Sequence, residues 1–191
     1  MNRCDAMVLT FCFATEENNL VGKLPNEIVS LSKLQNLDFD SNKLIGTVPS
    51  QIGDMQQLLT MDLDDNSFTG TIPDSLFGSS SLVTIDLDGN SLTGTLSTEV
   101  GAITRLNILM LEKNKLVGPV PTELGQLESL SYFTIADNQF TGTLPSEIGV
   151  LEELSKLPLP FLRWYTAPII LFSNDSPFFI SSCADSAQQR T

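Results

Sequence analysis

Short runs of alternating apolar and polar residues recur along the chain, and each run is followed by an asparagine. In one run, Leu37 and Phe39 flank Asp38, which is the spacing of a β-strand with one buried face. The asparagines lie 24 residues apart, at Asn18, Asn42, Asn66, Asn90, Asn114 and Asn138. A fixed period of this length is typical of a repeat protein in which each unit forms one coil and buries its apolar face against the next.

The residues that follow the asparagine give each unit a turn and a bend. After Asn42 come Leu44, Gly46 and Pro49. A buried asparagine can bond backbone groups that a turn leaves without a partner, glycine tolerates unusual backbone angles, and proline sets an extended bend. We therefore predict structural roles for the six asparagines. We also predict an α/β solenoid with parallel strands on its concave face and short 3-10 or helical turns on its convex face.

The full unit, LxxLxLxxNxLxGxIPxxIGxL, resembles plant-type extracellular leucine-rich repeats. The resemblance extends from Asn18 to about Leu159 and includes five complete copies. It implies a right-handed leucine-rich-repeat superhelix of the L domain-like kind, as in receptor-like kinase ectodomains and polygalacturonase-inhibitor-like proteins. It also implies an extracellular or cell-surface location and a recognition role without catalysis.

The N-terminal residues depart from the repeat. Cys4 precedes Asn18 by 14 residues, as the last cysteine of the N-terminal cap does in members of the resembling family. We interpret residues 1–17 as the remnant of that cap and a weak first strand, and the chain as a fragment of a secreted protein. The other cysteines are Cys12 and Cys183, and an odd number at these spacings indicates no disulfide framework.

The repeat also ends before the chain does. We assign residues 18–159 to the solenoid, because the next expected asparagine position holds Leu162. Residues 160–191 share nothing with the repeats and contain several apolar patches. Two interpretations stay open for them: an irregular cap over the last coil, which solenoids require, and an unstructured tail.

The charge of the chain narrows the possible partners. Ten Lys and Arg stand against 23 Asp and Glu, for a net charge of −13. This excess argues against nucleic acid, whose phosphates require cationic partners, and favours ligands with basic groups or divalent cations. The chain has no histidine, so Ser-His-Asp catalysis is excluded. We expect no enzyme activity, no cofactor and no membrane-spanning segment, although the resemblance allows a membrane or kinase region in a longer protein.

The residues that face outward from the strands form a candidate binding surface. Acidic residues recur at the same two positions in successive coils and would form two columns on the concave face. Large apolar residues, which often carry interface energy, lie beside the columns. We predict binding of a protein, peptide or glycan ligand by Asp38, Asp40, Asp62, Asp64, Asp86, Asp88, Met110, Glu112 and Tyr132.

The acidic columns have other interpretations besides a binding surface. Duplication of one unit produces a column of aspartates without selection for binding, so a structural extracellular scaffold, stabilised by calcium, is the main alternative. Paired carboxylates also suggest a glycosidase. However, the spacing is automatic on every strand, and an open face offers no desolvated pocket that would raise a pKa. Ice binding ranks last, because the outward rows are rich in aspartate rather than threonine.

Overall fold

The computed structural model describes residues 12–15, 18–151 and 153–154, together with the backbone of two short strands, Leu171–Ser173 and Ser176–Phe179. The described part of the solenoid consists of six coils, and each coil contributes two strands and one 3-10 helix. Most of the proposed cap remnant, including Cys4, lies outside the described residues. So does most of the predicted tail, of which only the two strands, an antiparallel pair, are described.

Six parallel strands, one from each coil, form the first sheet in the order β1-β3-β5-β7-β9-β11. Their register advances by 24 residues per coil, as the pairing of Leu37 with Met61 and of Met61 with Ile85 shows. These strands are the Leu-x-Leu runs of the repeat, because the residues on either side of the central one face outward, and the central residue is buried in every strand except β1, where Phe13 is exposed. The strands are β1 (Cys12–Ala14), β3 (Asn36–Asp38), β5 (Thr60–Asp62), β7 (Thr84–Asp86), β9 (Ile108–Met110) and β11 (Tyr132–Thr134).

The residues that follow the asparagines form a second parallel sheet, which was not predicted from the sequence. Its signal is a second alternation, in which Leu44 is buried while Lys43 and Ile45 are exposed. The run is short and ends at Gly46, whose φ of 90° favours glycine, so it was interpreted as a turn. The strands are β2 (Val21–Lys23), β4 (Lys43–Gly46), β6 (Ser67–Gly70), β8 (Ser91–Thr95), β10 (Lys115–Gly118) and β12 (Gln139–Phe140).

A 3-10 helix completes each coil, and no α-helix occurs in residues 12–15, 18–151 or 153–154. Four of the helices are preceded directly by proline, whose fixed φ suits the extended bend at this point. Ser97 stands at the proline position in one coil, where its Oγ accepts a hydrogen bond from Glu99 N at 3.3 Å. The helices are Asn26–Ser30, Ile52–Asp54, Asp74–Gly78, Thr98–Ala102, Thr122–Gln126 and Ser146–Val150.

The asparagines link each coil to its neighbours through backbone groups. Asn90 Nδ2 donates to the carbonyl oxygen of Leu63 in the preceding coil at 2.9 Å and to that of Asp88 in its own coil at 3.0 Å. Its Oδ1 accepts from Phe68 N at 2.9 Å. The same pattern repeats at Asn42, Asn66, Asn114 and Asn138. We call these residues the asparagine ladder.

The third coil contains an exchange of large and small residues that the repeat pattern does not reveal. Phe77 occupies the position that is Gly53 in the coil before it, and Ser79 occupies the position of Met55. Both Phe77 and Ser79 are buried. Because a small residue replaces a large one two positions after the reverse change, Ser79 offsets part of the volume that Phe77 adds to the core of this coil. Ser79 Oγ lies 3.1 Å from the hydroxyl of Ser81, which donates to Leu58 O at 2.7 Å.

Cys12, in β1, is disulfide-bonded. Both of the other cysteines of the chain lie outside the described residues. The odd number of cysteines and their spacing gave no indication of this bond.

Candidate functional site

The strand register aligns the outward residues of the first sheet in rows that cross the coils. Asp38 pairs with Asp62, Asp62 with Asp86, and Asp86 with Met110. We call this the first acidic row, and Met110 extends it toward the C-terminal end. Tyr132 belongs to a different row, in which it pairs with Ile108. The structure therefore brings Met110 beside the aspartates, while Tyr132 lies at the other end of its strand.

A second acidic row follows the strands directly and contains Asp40, Asp64, Asp88 and Glu112. Backbone hydrogen bonds between neighbouring coils maintain its register, as from Asp65 N to Asp88 O at 3.0 Å and from Gly89 N to Glu112 O at 3.0 Å. Lys113, which adjoins this row, forms an ion pair with Glu112 at 3.1 Å.

The carboxylates of the first row are held toward the second row. Asp62 Oδ1 accepts from Asp64 N at 3.4 Å, and Asp86 Oδ1 accepts from Asp88 N at 3.1 Å. Because each first-row side chain is bonded to the backbone two residues further on, it cannot turn away from the second row without losing that bond. Asp88 itself accepts a hydrogen bond from the backbone N–H of Glu112 in the next coil.

This arrangement concentrates three carboxylates at the centre of the sheet. Oxygen atoms of Asp62, Asp64 and Asp86 all lie within 4.8 Å of one another. Oδ1 of Asp64 is shielded from solvent and has no hydrogen-bond partner, and the same is true of Oδ1 of Asp40. Oxygen atoms that are neither solvated nor bonded are suited to a cation, because a cation supplies the interaction that water and N–H donors do not.

The expectation that this face is fully open to solvent was wrong at two positions. Asp86 is only 8% exposed and Glu112 only 3% exposed. This burial removes water from the two carboxylates, contrary to the prediction that an open face offers no desolvated pocket.

Burial raises the pKa values of the central aspartates. Loss of solvation raises the pKa of Asp86 to about 8, and the charges of Asp88 and Asp62 add to that effect. The same causes, burial first and then neighbouring carboxylates, raise the pKa of Asp64 to about 7. Burial also raises the pKa of Asp88 to about 6 against the hydrogen bond from Glu112 N, and raises the pKa of Asp62. The hydrogen bond and charge of Glu112 raise the pKa of Lys113.

The stability of the folded chain should fall as the pH rises through the range of these pKa values. Asp86 ionises near pH 3.8 in the absence of the fold but at about pH 8 within it, so the folded state binds more protons between these values. The stabilisation from this difference is present below the unfolded pKa and is lost as the pH rises toward 8. We expect Asp86→Asn to increase the free energy of unfolding at pH 8 by about 1 to 3 kcal/mol.

Urea denaturation of the parent chain and the Asp86→Asn variant at pH 5 and pH 8 measures this effect. At pH 5 Asp86 is already protonated in the folded chain, and asparagine keeps the oxygen that accepts from Asp88 N, so the gain should be much smaller there. Asp54→Asn, a change at an exposed aspartate of a 3-10 helix, is the control and should have little effect at either pH. Equal stability of the parent chain at both pH values would contradict the interpretation.

One polar residue of this face, Thr134, was not among the predicted binding residues. Thr134 pairs with Met110 and continues the first acidic row into the last described coil. Its side chain is buried, and Oγ1 has no hydrogen-bond partner. The alignment of the repeats predicts that Thr134 faces outward in this row, but only the structure shows its burial.

Comparisons with known proteins agree with the fold. Two family descriptions, "Leucine rich repeat" and "Leucine Rich Repeat", match residues 32–92 and residues 129–151. No curated protein matches the chain. Many solved structures match, and the similar ones include ectodomains of plant receptor kinases.

Three of these structures show the degree of similarity. A plant peptide hormone receptor in complex with RGF2 is 33% identical, with a TM-score of 0.75, over 77% of this chain and 24% of the receptor chain. The ectodomain of GASSHO1/SCHENGEN3 from Arabidopsis thaliana, in complex with CASPARIAN STRIP INTEGRITY FACTOR 2, is 33% identical, with a TM-score of 0.74, over 75% of this chain and 17% of its own. The Arabidopsis receptor kinase HAESA, in complex with the peptide hormone IDA and the co-receptor SERK1, is 32% identical, with a TM-score of 0.73, over 74% and 24%.

The chain therefore spans about a quarter or less of the length of these relatives. Residues 32–92 and 129–151 are leucine-rich repeats, and the chain is similar to the ectodomains of plant receptor kinases.

Proposed function

We propose that this chain is a recognition module without catalytic activity that binds a protein, peptide or glycan ligand through the two acidic rows of the first sheet. A ligand with basic groups fits this surface best. The observation that carries the proposal is the grouping of Asp62, Asp64 and Asp86, whose oxygen atoms lie within 4.8 Å of one another beside Asp88. Several similar structures are complexes with peptide hormones, which supports a peptide as the ligand.

The charge of the rows determines how a basic ligand would bind. Lysine or arginine side chains would compensate the mutual repulsion of the aspartates and form charge-assisted hydrogen bonds with them. Met110 and Tyr132 are both half-buried and would supply apolar contacts at the C-terminal end of the surface. Because Asp64 and Asp86 hold protons near neutral pH, a cationic ligand must displace those protons when it binds. Affinity should therefore rise between pH 6 and pH 8.5.

The binding test compares two variants that each replace four acidic residues with their neutral amides. In the site variant Asp62, Asp64, Asp86 and Asp88 all become asparagine. In the control variant, four exposed acids of the 3-10 helices are neutralised by Asp54→Asn, Asp74→Asn, Glu99→Gln and Glu147→Gln. We expect titration calorimetry with a peptide rich in lysine and arginine to show at least a roughly tenfold loss of affinity for the site variant only.

Three measurements in the same experiment separate a specific site from general attraction. Binding to the parent chain should weaken with added salt and strengthen from pH 6 to pH 8.5. Equal losses in the two variants would show that net charge alone attracts the peptide. Unchanged affinity in the site variant would overturn the assignment of the acidic rows.

The proposal also includes the cellular location of the module and the longer protein to which it would belong. Similarity to receptor ectodomains supports an extracellular or cell-surface location and a place within a longer receptor. In the part of the chain that the structure describes, no helix has both the length and the apolar character required to cross a membrane.

A second candidate function is a structural scaffold stabilised by calcium, and the cluster of Asp62, Asp64 and Asp86 favours it. Among the described residues, these three form a group whose oxygens could share one cation. A cation that binds only the folded state stabilises it by about 1.4 kcal/mol at ten times its dissociation constant. We expect 10 mM calcium at pH 8 to raise the melting temperature of the parent chain by a few degrees, estimated from about 1.4 kcal/mol.

Two comparisons isolate the site in this experiment. The variant Asp62→Asn/Asp86→Asn should lose the shift, whereas the four-residue control variant of the 3-10 helices should keep it. Sodium chloride at the same ionic strength should produce a smaller shift, because general screening does not require a cluster. A calcium shift that survives Asp62→Asn/Asp86→Asn would place the cation elsewhere.

A further inference from the structure

The outward face of the second sheet differs in charge from the first sheet. In the four inner strands of the second sheet, β4, β6, β8 and β10, the outward side chains include two lysines and no acid. They are Lys43, Ile45, Ser67, Thr69, Ser91, Thr93, Thr95, Lys115 and Val117. The two acidic rows place seven carboxylates on the first sheet of the same four coils. The two sheets of the solenoid therefore present opposite charges to a partner.

Two aliphatic side chains on this face are exposed. Ile45 is 49% exposed and Val117 is 38% exposed. In the second to fifth coils, which the structure describes throughout, they are the only large apolar residues that are exposed rather than buried or half-buried. They occupy the same position of the repeat, three coils apart, on strands that have a described strand on each side. Their exposure is therefore a property of this face and not of the ends of the solenoid.

A lysine accompanies each of these side chains. Lys43 precedes Ile45 by two residues and Lys115 precedes Val117 by two residues, so each lysine lies beside its aliphatic neighbour on the outward face. Both lysines are exposed, and neither forms an ion pair with a described residue. We call these residues the two lysine–aliphatic pairs. Each pair offers an apolar contact and a cation that is available to a carboxylate.

The two strands between the pairs carry smaller side chains. At the positions of the lysine and the aliphatic residue, β6 and β8 have a serine and a threonine. Thr69 Oγ1 donates to Gly46 O at 3.1 Å, and Thr93 Oγ1 donates to Gly70 O at 3.2 Å. These bonds hold the two threonines against the preceding coil. Because serine and threonine are shorter than lysine and isoleucine, the face is a shallow saddle with one lysine–aliphatic pair on each side.

We propose that the outward face of the second sheet is a second interaction surface, which binds a segment of a partner protein that carries both carboxylates and aliphatic side chains. Carboxylates of the segment would bond Lys43 and Lys115, and its aliphatic side chains would cover Ile45 and Val117. Its backbone would lie over the saddle. Charge complementarity favours this partner, because no acid on the four strands competes for the lysines.

A polypeptide supplies both of the groups that the face requires. An anionic polysaccharide brings negative charge but no aliphatic side chains, and a second copy of this chain would bring a net charge of −13. The surface is separate from the acidic rows, so a basic ligand on the first sheet and an acidic partner on the second can bind at the same time. Exposed ion pairs contribute little individually, so a short peptide should bind with a dissociation constant of roughly 1 mM.

The probe is a nine-residue peptide in which glutamate and valine alternate at every second position and serine fills the positions between them. In an extended conformation its glutamates and valines face the same side. Selective ¹⁵N labelling of glycine in the 191-residue chain reports where the peptide binds. The reporters on the face are Gly46, Gly70, Gly94 and Gly118, and those elsewhere are Gly89 beside the second acidic row and Gly53 and Gly101 in 3-10 helices.

The chain itself supplies the substitutions for the site variants. Lys43→Ser/Lys115→Ser and Ile45→Thr/Val117→Thr introduce the residues that the third and fourth coils already have at these positions. Both variants should therefore fold, which thermal melting by circular dichroism verifies, and either one alone tests the face. The control is Lys33→Ser/Arg105→Ser, which removes two exposed cations beyond the 3-10 helices and has the same net charge as the lysine variant.

We expect the peptide to move the glycine signals of the four strands in the parent chain and to leave those of Gly89, Gly53 and Gly101 in place. Each site variant should bind at least about fivefold more weakly, and the control should bind like the parent chain. An increase from 50 mM to 500 mM salt should weaken binding to the parent chain, because salt screens the ion pairs of the lysines.

Four results would overturn the proposal. Glycine signals of the four strands that stay in place up to 5 mM peptide would show that the face does not bind such a segment. Equal weakening in the control would mean that net charge alone matters. Fragments of hyaluronate, an anionic polysaccharide, that move the same signals at lower concentration would assign the face to a glycan. Signals that move with the concentration of the chain alone would assign it to a second copy. None of these results bears on the acidic rows, which the basic peptide tests separately.

Discussion

Replacing Asn90 with alanine is expected to reduce the free energy of unfolding by about 3 to 5 kcal/mol, a large effect for one polar side chain. The asparagine is 8% exposed and bonds backbone groups of Leu63, Asp88 and Phe68. Alanine provides no replacement for any of these bonds, and the buried backbone groups cannot reach water. Because the lost bonds join neighbouring coils, the array should become less cooperative at this point.

Thermal and urea denaturation of the Asn90→Ala chain measure the loss. Asn18→Ala is the matched control, since Asn18 occupies the equivalent position of the first coil and is exposed, so its bond to Thr15 O at 3.0 Å is accessible to water. The control should lose about 1 kcal/mol or less. Equal losses at Asn18 and Asn90 would mean that the energy of the ladder does not depend on burial.

Replacing Gly53 with alanine is the second change for which we expect a large effect. A Cβ atom at this position would lie 1.8 Å from the backbone oxygen of Ser75 in the next coil and 2.4 Å from its carbon. These atoms belong to the backbone and cannot move aside as the end of a flexible side chain can. The 3-10 helices of the second and third coils would have to separate, so we expect a loss of about 3 kcal/mol or more.

Gly149→Ala provides a control at the equivalent position of the last described coil, where a Cβ atom would meet nothing within 4 Å. This variant should be as stable as the parent chain or slightly more stable, because alanine restricts the unfolded state. Melting temperatures of both variants and the parent chain make the comparison. A Gly53→Ala chain that melts like Gly149→Ala would show that the separation between coils adjusts at little cost.

The 24-residue period of the chain could be predicted from the sequence because it depends on the recurring asparagines and on the apolar positions that are buried. Asn66 and Leu63 recur at a fixed spacing, and the second to fifth coils bury the same positions, so the first sheet and its register follow from the repeat. The second sheet did not follow. Its strands contain at most one buried residue each, as Leu44 in β4 shows, and so short an alternation cannot be distinguished from a turn.

The candidate site could be predicted only as far as the rows. Repeat alignment places Asp62 and Asp86 in one row, which is the pairing that the structure has. Alignment carries no information about how deeply an outward side chain is buried. The burial of Asp86 and Glu112 and the raised pKa of Asp86 could therefore not be predicted. Whether the rows bind a ligand stays a prediction for the comparison of charge variants.

The exchange of large and small residues in the third coil limits how this protein can evolve. Duplication and deletion of whole units are easy routes to change in a repeat array, provided that any coil fits against any other. Phe77 fills a position where Gly53 and Gly101 allow the close approach of the next coil, and Ser79 leaves room that Met55 or Ile103 fills elsewhere. Unequal recombination that joined part of this coil to part of another would pair two large residues or two small ones. The third coil can therefore be exchanged as a whole unit, but a crossover between Phe77 and Ser79 would overfill its core or leave a cavity there.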